Sequence, residues 1–497
     1  MLLPDASHER NVERAILEAL RPASWQNPKP AKPYDLVILG AGPAGLSAAL
    51  DAAPLDARVA LVEQKILGGN CMHTGCVPSK AIIRTSRLYA DMRNAESFGG
   101  KVPGDMPIDF AAAMDRIGRV RSRIARSITA DELSALGIDL FFGEGRFDGG
   151  NSITVEGDRL RFKKALVATG AHPVVPAIPG LVEAGYLTNQ NIFDLRVLPA
   201  HLLVIGGGPI GCELSQAFCR LGSRVTIVQK EPMFLSNEER DAAQILSDAF
   251  ARDGIEIHLN TETLSISVRG AQKIADLVSE DHRSTVTVDQ ILASVGQMPN
   301  VEALNLEAVG VDYDKSQGIR VNDFLQTTNP DIYAAGDVCA RRKFTHFEAA
   351  SSRIVVQNAL QSGRRRVSDL TIPWCTYTDP ELAHVGLYVR EAREKHIPVR
   401  TFTIPMHDVD RAICDAEEEG FVKIHVKEGS DQILGATVVA RHAGEMINDI
   451  SLAMSLGVGL ERLGQVVRPY PTQAAAIQMA AEAYRSTVAA PLRTRIR

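Results

Sequence analysis

Cys71 and Cys76 are separated by four residues in the run from Gly68 to Lys80. Thiols at this spacing can close to a disulfide and open again, and Pro78 suits the first turn of a helix beginning at the second cysteine. A thiolate at a helix start is stabilised by the helix dipole, which lowers its pKa. Seven cysteines in 497 residues exclude a secreted disulfide scaffold. We therefore predict a redox-active pair in a cytoplasmic protein.

The elements that must position this pair begin with an apolar run at residues 34–39, which predicts a strand followed by a glycine-rich turn and a helix. Gly40 permits the tight turn, Gly42 lets a pyrophosphate approach the backbone, and Gly45 lets helix and strand pack closely. A second apolar strand ends in Glu63, 18 residues after Gly45, where a carboxylate can accept hydrogen bonds from ribose hydroxyls. The segment predicts a dinucleotide site.

The same pattern recurs later in the chain. An apolar run at 201–205 leads into the glycine run 206–211, and the next strand, 224–228, ends in Gln229 and Lys230. An acid at this place would hold the 2′-hydroxyl of NAD and repel the 2′-phosphate of NADP. Gln229 removes that repulsion and Lys230 could pair with the phosphate, which favours NADPH; a solvated charge at the strand end is the alternative for Lys230. Two such units imply two dinucleotides, of which one could be a flavin cofactor and the other a nicotinamide donor.

Composition sets limits on the rest of the chain. Its length is sufficient for three domains at about 150 residues each. The net charge of −6 does not indicate a nucleic-acid-binding protein. No apolar run reaches the ~18 residues that a membrane span needs. Residues 1–33 lack the apolar core of a signal peptide and combine a short helical pattern with a proline-rich linker. We predict an extension that packs on the body of the protein or on a partner.

With these motifs the chain resembles the flavoprotein disulfide reductases, from about residue 34 to residue 488. Five motifs carry the resemblance: Gly-Gly-x-Cys-x4-Cys-x-Pro-x-Lys at 68–80, Ala-Thr-Gly at 168–170, the Gly-Asp segment at 331–337, Thr-Asp-Pro-Glu at 378–381 and Gly-Glu-Met-Ile-Asn at 444–448. The resemblance implies an α/β protein with two Rossmann-like domains and a C-terminal α+β dimerisation domain. The implied domains are an extension (1–33), an FAD-binding domain (34–170 and 298–370), an NAD(P)-binding domain (171–297) and a dimerisation domain (371–490).

The resemblance also implies roles for individual residues in a homodimer whose active site uses both subunits. Reduced nicotinamide would pass hydride to FAD, which would reduce the Cys71–Cys76 disulfide; Cys76 corresponds to the flavin-proximal thiol and Cys71 to the interchange thiol. Lys80 and Glu213 would form an ion pair near the flavin ring. The positions implied for FAD are Gly40, Gly42, Pro43, Ala44, Gly45, Glu63, Lys80, Gly145, Thr169, Gly170, Gly336, Asp337 and Thr345. Those implied for the nicotinamide donor are Gly206, Gly208, Pro209, Ile210, Gly211, Gln229, Lys230 and Gly296.

One departure from the family concerns its C-terminal proton donor. Members that reduce small disulfides carry His-Pro-x3-Glu, whereas this chain has Tyr470 in place of the histidine and Ala475 in place of the glutamate. A phenol with a pKa near ~10 is a poor acid catalyst at neutral pH. A soft metal ion needs no proton on a leaving thiol and can bind transiently to Cys71 and Cys76. Tyr470 is therefore either a functional residue at this site or an interface packing residue.

Three hypotheses follow from the sequence. The first is a mercuric-reductase-like flavoenzyme that uses NAD(P)H to reduce a soft metal ion, although the chain has no cysteine after Cys414 to hand such an ion inward. The second is a dihydrolipoamide dehydrogenase-like or other disulfide reductase with a non-standard proton donor, His73 or His346. The third is a flavin-binding subunit without turnover, against which the intact nicotinamide fingerprint argues. The sequence leaves the physiological acceptor open, as either a small molecule or a metal ion.

Overall fold

The apolar run at 34–39 forms the central strand of a parallel sheet in a computed structural model of the chain. The structure describes residues 14–102, 106–280, 282–340 and 343–493, with side chains as far as 488. The parallel strands lie in the order Asp139–Phe142, Val59–Glu63, Tyr34–Leu39, Asp158–Val167 and Ile332–Ala334. Two antiparallel strands, Ser152–Val155 and Gly145–Phe147, continue from the first half of the long strand. Both faces of this sheet are buried, as its continuous aliphatic strands predict.

Three helices around this sheet position the chemistry. Pro43–Ala52 follows the first glycine turn and packs against Thr345–Leu360. Cys76–Arg93 carries the second cysteine as its first residue. It packs against Phe110–Ala125 and against Pro209–Arg220, the first helix of the second dinucleotide unit. The thiol pair therefore lies where the two units meet.

The second unit repeats the parallel arrangement on a smaller scale. Its strands lie in the order Glu256–His258, Arg224–Val228, His201–Ile205 and Gln290–Ala293. An antiparallel sheet of Thr261–Arg269, Gln272–Ser279 and His282–Val288 packs against it. The chain enters and leaves this unit through two paired strands, Ala171–Pro173 and Gln297–Pro299.

The C-terminal part is an antiparallel sheet with helices on it. Its strands lie in the order Pro373–Thr376, Glu381–Gly386, Ile433–Ala440, Phe421–Lys427 and Val399–Pro405. Helices Ala443–Ser455 and Ala475–Arg493 pack against this sheet. The remaining α-helices with defined bounds are Gly69–His73, Ala130–Ala135, Leu181–Ala184, Arg240–Asp253, Val389–Glu394, Asp410–Asp415 and Leu460–Leu463. The predicted fold class is confirmed, whereas the exact domain boundaries stay a proposal.

The described part of the N-terminal extension packs on the body of the protein. Residues 14–19 are helical, and Leu20 is fully buried in the core beneath the first parallel sheet. The first part of the predicted helical pattern, with Val12, lies outside the described residues. Among the residues that the structure describes, no helix is both long and apolar enough to cross a membrane.

Candidate active site

The two thiols meet at the junction of two helices. Cys71 lies in the short helix Gly69–His73, and Cys76 begins the next helix after the two connecting residues Thr74 and Gly75. Both sulfurs are free, and the Cys71 thiol donates a hydrogen bond to Cys76. This hydrogen bond lowers the pKa of Cys76. The positive charge of Lys80 also lowers this pKa, whereas burial raises it. The pKa of Cys71 is raised because its proton is held against Cys76. These contacts favour the negative charge on Cys76 and the proton on Cys71.

Thr345 is brought to the thiol pair from a distant part of the sequence. Its hydroxyl oxygen lies 3.2 Å from the sulfur of Cys76. Thr345 is the first residue of the helix Thr345–Leu360, so the positive end of this helix also faces the sulfur. The residue predicted to bind the cofactor thus also contacts the thiolate.

Lys80 and Glu213 form the predicted ion pair. The Lys80 ammonium lies 2.9 Å and 3.1 Å from the two carboxylate oxygens of Glu213, which is buried. The same carboxylate accepts a hydrogen bond of 2.9 Å from the Tyr377 N–H. Burial works against the Lys80 charge, but Glu213 and the Cys76 thiolate outweigh it, so the pKa of Lys80 is raised. The ammonium is a fixed positive charge beside the thiols.

A cavity of about 580 Å³ runs from Cys71 along the first glycine turn. The FAD positions predicted from the sequence that line it are Gly40, Gly42, Pro43, Glu63, Gly145, Thr169, Gly170 and Asp337. The predicted positions that do not line it are Ala44, Gly45, Lys80, Gly336 and Thr345. Gly45 acts through packing instead, because a Cβ there would lie 1.8 Å from the Gly40 carbonyl oxygen.

The polar groups of this cavity fit a flavin dinucleotide. A Cβ on Gly42 would meet nothing nearer than 3.8 Å, which leaves room beside the backbone for a pyrophosphate. The Glu63 carboxylate accepts hydrogen bonds from the N–H groups of Ala41 (2.8 Å) and Lys65 (2.6 Å), and each oxygen keeps a second lone pair for a ribose hydroxyl. One buried carboxylate oxygen of Asp337 has no protein partner. A hydroxyl of a bound ligand would satisfy it.

Glu348 is a cavity residue that the sequence reasoning missed. It lines the cavity beside Asp337, and the two carboxyl groups are in hydrogen-bond contact, so one of them carries a proton. Burial raises the pKa of both, and the charge of Asp337 further raises that of Glu348. A signal was available in the sequence, because Glu348 follows Thr345 by three residues on the same helix face.

A second cavity, of about 640 Å³, lies over the second glycine turn. The predicted nicotinamide positions that line it are Gly206, Gly208, Pro209, Ile210, Gln229, Lys230 and Gly296, whereas Gly211 does not. The side-chain oxygen of Gln229 accepts a hydrogen bond of 2.6 Å from the Gly207 N–H, and the side-chain NH₂ group of Gln229 donates to the Glu231 carboxylate. Lys230 pairs with Glu262 at 3.1 Å. These two acids compensate the positive charge, so the preference for NADPH stays a prediction.

Tyr470 lies apart from both cavities within the subunit. Its ring is 79% exposed, and its hydroxyl donates a hydrogen bond of 2.7 Å to Asp410, which raises the pKa of the phenol. The two histidines considered as proton donors are also engaged, since His73 contacts the Leu67 carbonyl at 2.8 Å and His346 donates to a backbone carbonyl at 2.6 Å. Burial lowers the pKa of His73. Within the described ranges, no cluster of three or more His, Cys, Asp or Glu residues could hold a resident metal ion.

Comparisons with known proteins agree with this geometry. Residues 34–363 match the family described as pyridine nucleotide-disulphide oxidoreductase, and residues 372–481 match its dimerisation domain. The mercuric reductase of Staphylococcus aureus is 33% identical over 448 residues, which are 90% of this chain and 82% of that protein. The dihydrolipoyl dehydrogenase of Thermus scotoductus is 32% identical over 464 residues, which are 91% of this chain and 97% of that protein.

Solved structures give the same result. The Cu(II) complex of the HOCl-induced flavoprotein disulfide reductase RclA from Escherichia coli superposes with a TM-score of 0.80 at 28% identity, covering 89% of this chain and 98% of that one. LpdA from Mycobacterium tuberculosis superposes with a TM-score of 0.82 at 29% identity, covering 90% and 99%.

These findings set aside a flavin subunit without turnover, because the family consists of enzymes that use FAD and NAD(P)H. They also give the C-terminal sheet its role as a dimerisation domain. The chain belongs to the flavin-dependent pyridine nucleotide-disulphide oxidoreductases.

Proposed function

We propose that this enzyme is mercuric-reductase-like: it takes electrons from NAD(P)H and delivers them, through FAD and the Cys71–Cys76 pair, to a soft metal ion. The observation that carries the proposal is a pair of free thiols, Cys71 and Cys76, beside the Lys80 ammonium, with both candidate histidines hydrogen-bonded to backbone carbonyls. Two sulfurs suit a soft cation. The relative named mercuric reductase and the Cu(II) complex of a related disulfide reductase support this choice.

The residues present would hold FAD along the first cavity. Glu63 would accept hydrogen bonds from ribose hydroxyls, and the unsatisfied oxygen of Asp337 would accept one from the ribityl chain. When bound, FAD supplies the two-electron transfer between reduced nicotinamide and sulfur. Lys80, which Glu213 holds by two hydrogen bonds, would provide a positive charge on the nicotinamide side of the thiols.

The thiols perform the acceptor chemistry. The Cys76 thiolate is ready to bind the metal, and Cys71 loses its proton when its sulfur also coordinates the ion. Two electrons from NAD(P)H, which FAD would relay when bound, then convert Hg²⁺ to Hg⁰, and Cys71 takes a proton back from the solvent as the metal leaves its sulfur. No leaving thiol of a substrate has to be protonated in this sequence. This fits the exposed Tyr470, whose raised pKa disfavours proton exchange at neutral pH.

Dihydrolipoamide or disulfide reduction is the second candidate. The relative named dihydrolipoyl dehydrogenase favours it, at an identity close to that of the mercuric reductases. It needs a proton donor at the thiols, which His73 or His346 would have to supply after breaking its present hydrogen bond. Such turnover would fall in the H73A and H346A variants.

A single set of assays distinguishes the candidates. NADPH oxidation is measured with Hg²⁺ plus excess thiol, Cu²⁺, lipoamide, oxidised glutathione and a quinone, for the wild type, Cys71→Ala and the exposed-cysteine control Cys414→Ala. We expect metal-dependent oxidation to disappear in Cys71→Ala and persist in Cys414→Ala. Lipoamide turnover faster than metal turnover in the wild type would overturn the proposal in favour of the second candidate. Metal-dependent oxidation that survives in Cys71→Ala would overturn the first candidate, and lipoamide or glutathione turnover that survives in this variant would overturn the second.

We also propose that the enzyme works as a homodimer in the cytoplasm. The dimerisation domain supports the homodimer. The free thiols and the few cysteines support a reducing compartment.

A further inference from the structure

We propose that residues 20–27 of the N-terminal extension form a brace that retains the adenosine half of FAD. This segment, called the brace below, matches no motif of the catalytic machinery and lies outside the region matched to the family. The proposal rests on the FAD site and not on the metal acceptor. Its failure would therefore leave the proposed reaction untouched.

The brace holds one wall of the flavin cavity through Arg21. The guanidinium donates hydrogen bonds to the carbonyl oxygens of both Gln64 and Lys65. The Leu67 N–H donates to the Leu20 carbonyl at 3.5 Å. Residues 64–66 line the cavity and directly follow Glu63, the predicted ribose ligand. The brace thus fixes the loop that closes one side of the ribose position.

The neighbouring wall is held through the edge strand Asp139–Phe142, which pairs with the strand that ends at Glu63. The side-chain amide of Asn27 accepts the Phe142 N–H at 2.8 Å and donates to the Phe142 carbonyl at 2.9 Å. The Trp25 indole donates to the Leu140 carbonyl at 3.2 Å, and its ring meets Phe142 edge-on at 5.9 Å. The strand leads directly into residues 143–145, which line the cavity.

The two walls are therefore joined by one short segment outside the Rossmann fold. The Gly143 N–H donates to the Glu63 carbonyl at 3.0 Å, so both held loops converge on the end of the same strand. Without the brace, Phe142 would present unpaired edge groups and the loop at 64–66 would lose its external anchor. A looser pair of walls would release the adenosine half of FAD more readily, because a ligand is retained by groups that stay in place.

The test measures FAD release and needs no electron acceptor. The full-length Arg21→Ala/Asn27→Ala variant is saturated with FAD and diluted, and the rise of flavin fluorescence gives the release rate. We expect release about tenfold faster than in the wild type, because the variant loses the four hydrogen bonds that Arg21 and Asn27 make to the cavity walls. The matched control is Arg14→Ala, which removes an exposed arginine that pairs with Glu18 in the same extension. It should release FAD at the wild-type rate.

Two further measurements separate a brace from a general contribution to folding. NADPH affinity, measured on the FAD-saturated protein, should stay unchanged, because the brace touches only the flavin cavity. If the double variant does not fold, Arg21→Lys, which keeps the charge but loses the two-carbonyl contact, is measured in the same way and should release FAD faster. Release at the wild-type rate in the folded variant would overturn the proposal. So would an equal acceleration in Arg14→Ala.

Discussion

The two dinucleotide units of this enzyme share one backbone and differ in the side chain at its key position. Gly40 and Gly206 have φ angles of 102° and 105°, and a Cβ on either would lie 2.4 Å from a carbonyl oxygen of the neighbouring strand end. In the flavin unit Glu63 accepts the N–H of Ala41, and in the nicotinamide unit Gln229 accepts the equivalent N–H of Gly207. The backbone thus makes the phosphate cradle, and the strand-end residue sets its charge.

The residues around the two cavities also differ. This difference agrees with the proposal that FAD stays bound in the first cavity and the nicotinamide donor leaves the second after each turnover. Beside the flavin cavity, the brace hydrogen-bonds to the loop at 64–66 and to Phe142, which directly precedes residues 143–145. The nicotinamide side is bordered by exposed charges, including the Lys230–Glu262 pair. Walls anchored from outside suit a cofactor that stays bound, whereas a site bordered by exposed charges suits a substrate that leaves after each turnover. On the proposed assignment of the two sites, the same supersecondary unit would serve retention in one place and exchange in the other.

The largest effects should come from adding one methyl group to the third glycine of each unit. A Cβ on Gly45 would lie 1.8 Å from the Gly40 carbonyl oxygen, and one on Gly211 would lie 2.1 Å from the Gly206 carbonyl oxygen. We expect Gly45→Ala to purify without FAD and Gly211→Ala to keep FAD but to lose more than ~100-fold in its rate of reduction by NADPH. Flavin content and stopped-flow reduction check this. Loss of FAD from both variants would show that the two sites are not independent.

A smaller effect is expected when the nicotinamide unit is given the acid of the flavin unit. Gln229→Glu places a carboxylate next to Glu231 and Glu262, which would repel a 2′-phosphate. We expect the ratio of kcat/KM for NADPH to that for NADH to fall by about tenfold to thirtyfold. Steady-state rates with both donors measure the ratio, with the flavin content as control. An unchanged ratio would mean that Gln229 does not face the adenine ribose.

The reverse exchange, Glu63→Gln, should weaken FAD binding by about tenfold, because a charged acceptor is replaced by a neutral one. Burial raises the pKa of Glu63 above its ordinary value of 4.5. Ribose hydroxyls donate to the ionised form, so FAD affinity should be highest above the raised pKa and should fall as the pH drops through it. Fluorescence titration at several pH values should show this fall in the wild type. If FAD affinity fell with pH in the same way in Glu63→Gln, the pH dependence would belong to another group.

The smallest effect is expected for Lys230→Ala. Lys230 and Glu262 are both exposed, and an exposed ion pair contributes little. We expect the KM for NADPH to change by about threefold or less, with the KM for NADH unaffected. Initial rates at two salt concentrations measure both values. An increase in the KM for NADPH well beyond this range, and sensitive to salt, would identify Lys230 as a direct ligand of the 2′-phosphate.

The parts of the site that sequence reasoning predicted are those with a local pattern. The glycine turns follow apolar strands, and the thiols precede a helix, so their spacing alone predicts their geometry. The contact between Lys80 and Glu213 came from the family resemblance, and the structure places the two side chains together. This pair joins helices of the two units, and nothing local to either helix predicts that they meet.

The parts that were missed are polar contacts between distant elements. Asn27 meets Phe142 across 115 positions, and Tyr470 meets Asp410 across 60. Such contacts leave no periodicity in the sequence, because a single hydrogen bond requires only one suitable side chain on each element. Predicting them requires the packing of the elements first.

The proton held between Cys71 and Cys76 bears on which cations the enzyme admits. The reduced pair carries one proton and one negative charge, so a cation that binds both sulfurs must first compete with that proton. Ions such as Mg²⁺ bind sulfur too weakly to displace it, whereas thiophilic ions do so readily. In the proposed metal reduction this proton would select for thiophilic ions, and the uptake of each such ion should release about one proton to the solvent.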